Sequence, residues 1–590
     1  MPKHPQECLC CGIRLPKGHR VTVIELGDHA MDFDTIVIRA RKQQDERKRL
    51  GVPHVLVATG ECGQAAGSIR VLEAIRSQLD RCGVEARLIE VGCNGMCYAA
   101  VLVDVERPDY PRVTYGYITP EKVPQLIEES LVSGKVARGF AIGVWEDSPY
   151  DGLPTISSLP FWQGQRRVIS SNFGVVDPHD IYDYVTRGGY SALSKAITAM
   201  SPEQVIDEIK RSRLAGRGGA YFPSGLKLEG CRVATGYPKF LVVNAEEGEP
   251  GVFKDRHIME GDPHRLIEGT VIAAYAAGIE RGYIYINGEA GPSIERVQEA
   301  LRQAEDLNLV GENILGSGFS FLPEIRIGAG GYVLGEASTM HNSIEGKRPL
   351  PRVKLVRSVE SGVFDRPTVT SNVETLASLP TIVNDGGDWY ASIGSQKSAG
   401  TKLLCLSGNI LRSGVVEAPM GISLRDVVER VGGGAPSGAN LKAVLIGGPS
   451  GGVIPASLLD VALEEGALEQ HGAILGSGGI VAIDDSRCIV DLVRLLTAYN
   501  QQESCGECTP CREGTMRMLG IINDIVVGSG SQSDVDTLLY LCEILEPTSL
   551  CGLGQGAPHP VLSSLRHFKA EWDEHVVAKR CPSSDCPMRR

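Results

Sequence analysis

Three cysteines at two-residue gaps, Cys505-Gly-Glu-Cys508-Thr-Pro-Cys511, constrain this 590-residue chain more than any other feature. A tight turn entering a helix aims such thiolates at one centre, and a fourth ligand usually comes from a remote loop. Cys551, in Ser549-Leu-Cys551-Gly552-Leu-Gly554, suits that role, because the glycines after it let backbone pack close to inorganic sulfide. The pattern predicts a [4Fe–4S] cluster; a redox disulfide and a four-thiolate zinc site are the competing readings. Cys542, inside an apolar helical pattern, reads as a small buried hydrophobe. The chain carries 17 cysteines, and their clustering argues for metal or iron–sulfur ligation rather than a disulfide framework.

A chain this long implies three to five domains, by the usual limit on a single core of about 250–300 residues. A net charge of −13 excludes a phosphate-backbone partner, so no nucleic acid is expected. The start, MPKHPQECLCCG, has no apolar signal region. The longest apolar stretch, around 271–277, falls far short of the ~18–20 residues that span a bilayer. A cytoplasmic protein without direct membrane insertion is expected.

Alternating patterns predict an α/β multidomain fold. Residues 1–50 form an extension with a Cys8-Leu-Cys10-Cys11 start and no legible fold. A small α/β unit over 51–135 has strands at 54–59, 86–91 and 100–105 and an amphipathic helix at 69–79. A Gly-, Pro- and Asp-rich linker covers 136–158. Strands and helices alternate over 159–400, with strands at 240–243 and 283–286 and helices at 266–277 and 294–304. A smaller β-rich unit occupies 401–485, and a helical bundle 486–580, followed by a Cys-containing tail at 581–590.

The loop Gly216-Arg217-Gly218-Gly219-Ala-Tyr221-Phe222-Pro-Ser-Gly-Leu-Lys227 follows a predicted helix, so it is not the usual dinucleotide fingerprint. Its glycines still permit a nest of N–H groups, and Arg217 and Lys227 supply positive charge for phosphate. This loop resembles the glycine-rich loop of the 51 kDa, NADH-oxidising flavoprotein of respiratory complex I and its family. The resemblance continues in family order through NAEEGEPGVFKDRHI at 244–258, GAGGYVLGEASTMHNSIEGKRPLPR at 328–352, RPTVTSNVETLASLP at 366–380 and the cysteine motifs. It covers about 155–580.

The resemblance implies a Rossmann-like FMN/NADH domain, a ubiquitin-like β-grasp (SLBB) domain and a helical [4Fe–4S] domain. It places Gly216, Gly218, Gly219, Lys227, Asn244, Glu246, Gly335, Glu336, Ser371, Asn372 and Thr375 around FMN. Phe222 would stack on the nicotinamide nucleotide, and Glu247 and Glu249 would contact it. Hydride transfer then belongs to the flavin, with no catalytic side chain. As an isolated reading, the acidic run is an exposed turn and Asn372 a helix cap. The chain departs from the family at Tyr221, Leu228, Asn287-Gly-Glu-Ala290 and Ala337, which leaves NADH against NADPH open.

Residues 51–135 resemble the thioredoxin-like [2Fe–2S] domain fused to this flavoprotein in soluble multi-subunit hydrogenases and formate dehydrogenases. Cys93 and Cys97 supply one cysteine pair, but the other retains only Cys62, with Val57 at the missing position. Cys82, Glu61 or water is then the substitute ligand, or the domain keeps its fold without a cluster. His575, Cys581 and Cys586 near the end have spacings compatible with zinc, or form a free tail. The implied function is an NAD(P)H-oxidising or NAD(P)+-reducing flavoprotein subunit of a redox complex, with electron bifurcation an open question. Its partners would be a small thioredoxin-like [2Fe–2S] subunit, an iron–sulfur subunit, and hydrogenase or dehydrogenase subunits. A docking and electron-relay subunit without nucleotide turnover is the alternative.

Overall fold

The alternation of β-branched runs and amphipathic helices produces three sheets in the computed structural model, which describes residues 32–588 apart from Asp109, Lys354 and Ser584. Cys8, Cys10 and Cys11 lie outside those residues. Strands β1 (His54–Ala58), β2 (Arg87–Val91), β3 (Val103–Glu106), β4 (Val113–Tyr115) and β5 (Ala141–Val144) form the first sheet, ordered β2-β1-β3-β4-β5. Only β1 and β2 run parallel. The helix Ser68–Cys82 lays Val71, Leu72, Ile75 and Leu79 on this sheet, a spacing that keeps all four on one helical face.

Two expectations need correction here. The stretch 136–158 is not wholly a linker, because β5 lies inside it and pairs with β4. A four-residue strand flanked by Gly, Pro and Asp carries too little periodicity to be seen. The extension is also partly folded: Phe33–Leu50 is a helix capped by Asp32 and ended by Gly51. It packs away from the first sheet, burying Ile36 and Ala40 in the core of the second and pairing Arg47 with Asp180 at 2.6 Å.

The second sheet is all parallel, β8-β7-β6-β9, from β6 (Phe240–Ala245), β7 (Arg281–Asn287), β8 (Leu322–Gly328) and β9 (Thr368–Asn372). Its central strands are buried on both faces, as parallel sheets require, hence their continuous apolar runs. The helix Pro263–Ala277 buries every residue but Tyr275: its second half, from Val271, is almost wholly apolar, and the buried Arg265 and Glu268 of its first turns are hydrogen-bonded to Ala377 O and Leu193 N.

Strands β10 (Thr401–Gly408), β11 (Gly414–Pro419), β12 (Leu441–Ile446), β13 (Gly452–Pro455) and β14 (Gly479–Asp484) form the third sheet, β11-β10-β14-β12-β13. Only β10 and β14 are parallel, a mixed β-grasp arrangement. Helices Ile489–Gln502, Thr509–Val526, Gln532–Thr548 and His559–His567 make the bundle, with Cys542 fully buried in its core. Asn500 donates to Pro449 O at 2.9 Å, and Ser563 Oγ accepts from Val453 N at 3.0 Å, fixing bundle to sheet.

The first domain is equally fixed to the second. A Cβ on Gly92 would stand 2.3 Å from Gly261 Cα, so these two backbones meet where only glycine fits. Around that contact Glu61 N donates to Glu260 at 2.8 Å, Arg296 donates to Thr59 Oγ1 at 2.7 Å, and Arg256 pairs with Glu61. No helix among the described residues is long and apolar enough to cross a membrane.

Candidate functional site

Parallel α/β sheets present ligands at the carboxyl ends of their strands. Here β6 and β9 end in register, Asn244 beside Asn372, and the glycine loop folds over them. Gly216 N donates to Phe222 O at 2.9 Å, closing the loop, and Arg217 N donates to Thr375 Oγ1 at 2.8 Å, anchoring it. Gly219 has φ of +104°, and a Cβ there would stand 3.3 Å from Gly476 C, so a side chain is both strained and crowded. Tyr221 also takes positive φ, 49°, which costs a residue with a Cβ about 1–2 kcal/mol. Its hydroxyl offsets this by donating to Gly476 O at 3.1 Å, so the departure from the family's glycine is accommodated.

Beneath the loop lies a cavity of 620 Å³. That volume suits a small-molecule site. Gly216, Gly218, Gly219, Phe222, Lys227, Asn244, Glu246, Glu247, Glu249, Gly335, Glu336, Ser371, Asn372 and Thr375 all line it. Arg217 does not. Its buried guanidinium points the other way and donates to Ala399 O at 2.6 Å, so the expectation that it faces phosphate is corrected. Lys227 is left as the loop's cation; it donates to Thr370 O at 3.0 Å, and burial lowers its pKa.

The acidic residues divide by geometry. Both Glu247 oxygens accept backbone N–H groups, Asp255 at 2.7 Å and Arg256 at 3.0 Å, starting the helix Lys254–Gly261. Its first task is thus a helix cap, not a nucleotide contact. Glu249 accepts from Ser477 Oγ at 2.8 Å. Neither Glu246 oxygen has a partner at full hydrogen-bond geometry, and burial raises its pKa to about 7. Asn372 combines both roles read for it: it lines the cavity and caps Val373–Ala377 by accepting from Glu374 N at 3.1 Å. A polar, glycine-floored cavity with a buried carboxyl whose oxygens lack full-geometry hydrogen bonds, and a buried lysine, fits a flavin mononucleotide.

Under the cavity floor, Glu374 binds Lys402 at 2.6 Å and Lys254 at 3.0 Å, and Lys254 also meets Asp255 at 2.7 Å. All four are buried. Burial pushes Lys402 down to about 8 despite the carboxylate beside it. For Glu374 burial acts upward, but Lys402, Lys254 and Arg217 outweigh it and lower its pKa. Sequence reading missed this network, since a lysine in an apolar strand carries no spacing signal.

Cys505, Cys508, Cys511 and Cys551 line one small pocket, as the spacing predicts. Cys508 caps the helix Thr509–Val526, whose free N–H groups favour a cluster of negative charge. Gly554 is obligatory, because a Cβ would meet Cys511 Cβ at 2.9 Å. Burial pushes the Cys511 thiol up to about 11, a shift that bound iron reverses. Val333, Cys551 and Leu553 line both this pocket and the larger cavity, so the two share a wall.

Two further quartets gather their donor atoms within 4.8 Å. His575, Cys581 and Cys586 come together with Cys488, which the sequence reading missed, and Cys62, Cys93 and Cys97 come together with His257. Cys82 is not among them; it ends its helix and accepts from Gln78 at 3.2 Å. Glu61 is held by Arg256. Neither joins the three cysteines, whose fourth neighbour is His257.

Protonation of Glu246 predicts a pH effect. Folding raises its pKa from the ordinary carboxylate range to about 7. Across that window the folded state holds a proton the unfolded chain has lost, so stability falls as pH rises from about 4.5 to 7. The share is at most about 3 kcal/mol. Glu246→Gln should flatten the midpoint of chemical unfolding over this range; an unchanged slope would place the carboxyl in solvent.

Comparison with known proteins agrees with this geometry. Residues 209–381 match the Nuo51 FMN-binding domain, 402–483 the SLBB domain, and 491–575 the NADH-ubiquinone oxidoreductase-F iron–sulfur binding region. NADP-reducing hydrogenase subunit HndC of Solidesulfovibrio fructosivorans is 44% identical over 72% of this chain and 86% of its own. The F 2 subunit of the NADH-quinone oxidoreductase of Rhizobium meliloti (strain 1021) is 45% identical over 70% of this chain and 99% of its own. A crystal structure of an NAD+-reducing [NiFe]-hydrogenase in the H2-reduced state superposes with a TM-score of 0.63 at 25% identity, covering 90% of this chain and 85% of that one. The chain is an oxidoreductase subunit whose cofactors are FMN, a nicotinamide nucleotide and a [4Fe–4S] cluster. It belongs to the family of the 51 kDa NADH-oxidising flavoprotein subunit of respiratory complex I.

Proposed function

We propose that the chain is the nucleotide-handling subunit of a cytoplasmic multi-subunit complex, exchanging electrons between NAD(P)(H) and partner iron–sulfur subunits of a hydrogenase or formate dehydrogenase. The observation that carries this reading is the wall of Val333, Cys551 and Leu553, common to the flavin cavity and the four-cysteine pocket. FMN, held there, would supply the chemistry that couples two-electron hydride transfer to single-electron transfer. The chain's residues do the rest. Phe222, 46% exposed at the cavity mouth, offers a ring face to the nucleotide. The glycine loop and Asn372 would hold the flavin, and Cys551 would place a cluster ligand against the same cavity.

A partner beside the cluster is supported by Val353, Leu355 and Val356, which are 67%, 87% and 54% exposed on the segment that reaches the cysteine pocket through Pro351. Exposed apolar side chains set among Arg352 and Arg357 are the composition of a mixed apolar and basic contact surface. The C-terminal quartet of Cys488, His575, Cys581 and Cys586 has the donor set of a structural zinc site that ties the tail to the bundle. A relay subunit without nucleotide turnover is disfavoured by the open cavity and its exposed Phe222.

The purified chain should reduce a viologen dye with NADH or NADPH. Phe222→Ala should raise KM for the nucleotide roughly tenfold, the equivalent of about 1–2 kcal/mol of stacking, with FMN content unchanged. No turnover with either nucleotide in the FMN-loaded chain would establish the relay reading instead.

A further inference from the structure

The thioredoxin-like domain resembles a [2Fe–2S] carrier, yet its donors are arranged for a different centre. A two-iron cluster divides four ligands into two pairs, one per iron, and holds the pairs apart. A single tetrahedral ion bound at about 2.3 Å by sulfur and 2.0–2.1 Å by nitrogen sets neighbouring donors about 3.5–3.8 Å apart. Cys93 and Cys97 Sγ stand 3.8 Å apart, and Cys97 Sγ is 3.4 Å from His257 Nε2. With Cys62, all four donor atoms lie within 4.8 Å of one another. The cubane cysteines of this same chain, which serve several irons, are not among the sets drawn together in this way.

Val57, at the position of the missing thiolate, is buried in the domain's own hydrophobic core and not beside the other three. The fourth donor comes from outside the domain. His257 lies on Lys254–Gly261, the helix that Glu247 caps at the edge of the flavin cavity. Its Nδ1 bonds Phe253 O at 2.8 Å, so this nitrogen carries the proton and Nε2 turns its lone pair to the cysteines. Outer-shell bonds of this kind orient metal-binding histidines. The C-terminal quartet repeats the device: His575 Nδ1 bonds Glu571 O at 2.8 Å while Nε2 meets Cys488 Sγ at 3.4 Å.

We propose that Cys62, Cys93, Cys97 and His257 hold one tetrahedral zinc ion, where the domain's relatives would carry a two-iron cluster. Three thiolates and an imidazole around a closed position are the donor chemistry of structural zinc. The ion joins the thioredoxin-like domain to the helix that borders the flavin cavity. Being redox-inert, it removes this domain from the electron path and leaves the [4Fe–4S] cluster as the exit.

The test compares zinc and iron per full-length chain, purified anaerobically, by elemental mass spectrometry. The Cys62→Ser/Cys93→Ser variant should lose about one zinc and keep its iron and FMN. Loss of iron with zinc unchanged would overturn the proposal in favour of a cluster. No change in either metal would mean that the donors only hydrogen-bond one another. Should that variant fail to fold, His257→Cys provides the second measurement. In cobalt-substituted protein it should retain the metal and intensify the thiolate-to-cobalt charge-transfer band. An unchanged band would remove His257 from the ligand set.

Discussion

Replacement of Cys551 by alanine should cut the EPR signal of the reduced cluster to roughly a tenth or less, because a cubane iron left without its thiolate is not retained. FMN should stay bound, and NADH should still bleach its absorbance in stopped flow, since the floor and loop of the cavity come from other residues. The defect would then be in electron exit alone. Cys551 tests the wall directly, as it lines both the flavin cavity and the cysteine pocket. A signal of wild-type size, with four irons still bound, would take Cys551 out of the ligand set.

Glu374→Gln should be the most damaging change outside the cofactor contacts. It leaves Lys402 and Lys254, both buried, without the carboxylate between them. Stranding a buried charge in this way costs about 3–5 kcal/mol. Lys254 keeps Asp255, so Lys402 bears most of the loss. The lysines also hold the loop and the cap, through Arg217 O and Asn372, so FMN occupancy should fall with stability. A urea titration followed by flavin fluorescence reads both. Pairing the change with Lys402→Met should recover much of the loss. A shift below about 1 kcal/mol would mean that no charge is stranded, either because Lys402, already lowered to about 8, sheds its proton or because water solvates it.

What the sequence made legible follows from where each signal lies. The cysteine run and the glycine loop are local, so their spacing singled out Cys505, Cys508, Cys511 and the loop, whereas the other cavity-lining residues were named only through the family resemblance. Long periodic elements such as Ser68–Cys82 and Pro263–Ala277 were legible for the same reason. Strand β13 was not, because Gly452-Val-Ile-Pro455 reads as a turn and becomes a strand only by pairing with β12. His257 stands within the flavin motif, but nothing local marks it as a ligand, since Cys97 lies 160 residues away. Cys488 is likewise isolated, 87 residues before His575. Arg217 misleads because a charge in a glycine loop suggests phosphate, whereas the turn at Gly216 and Gly218 directs it inward to Ala399 O.

The helix Phe33–Leu50 precedes the thioredoxin-like domain yet is rooted in the core of the flavin domain through Ile36 and Ala40. On the other side of that domain, Phe161 is rooted among the buried residues of the third sheet. The domain is therefore a loop pinned at both feet, with no free leash on which to swing. A shuttling carrier needs slack, because its reach and its local concentration at each docking point grow from linker length. With no slack, any partner recognised by this face would have to come to it, and the domain's orientation to the flavin cavity is set when the chain folds.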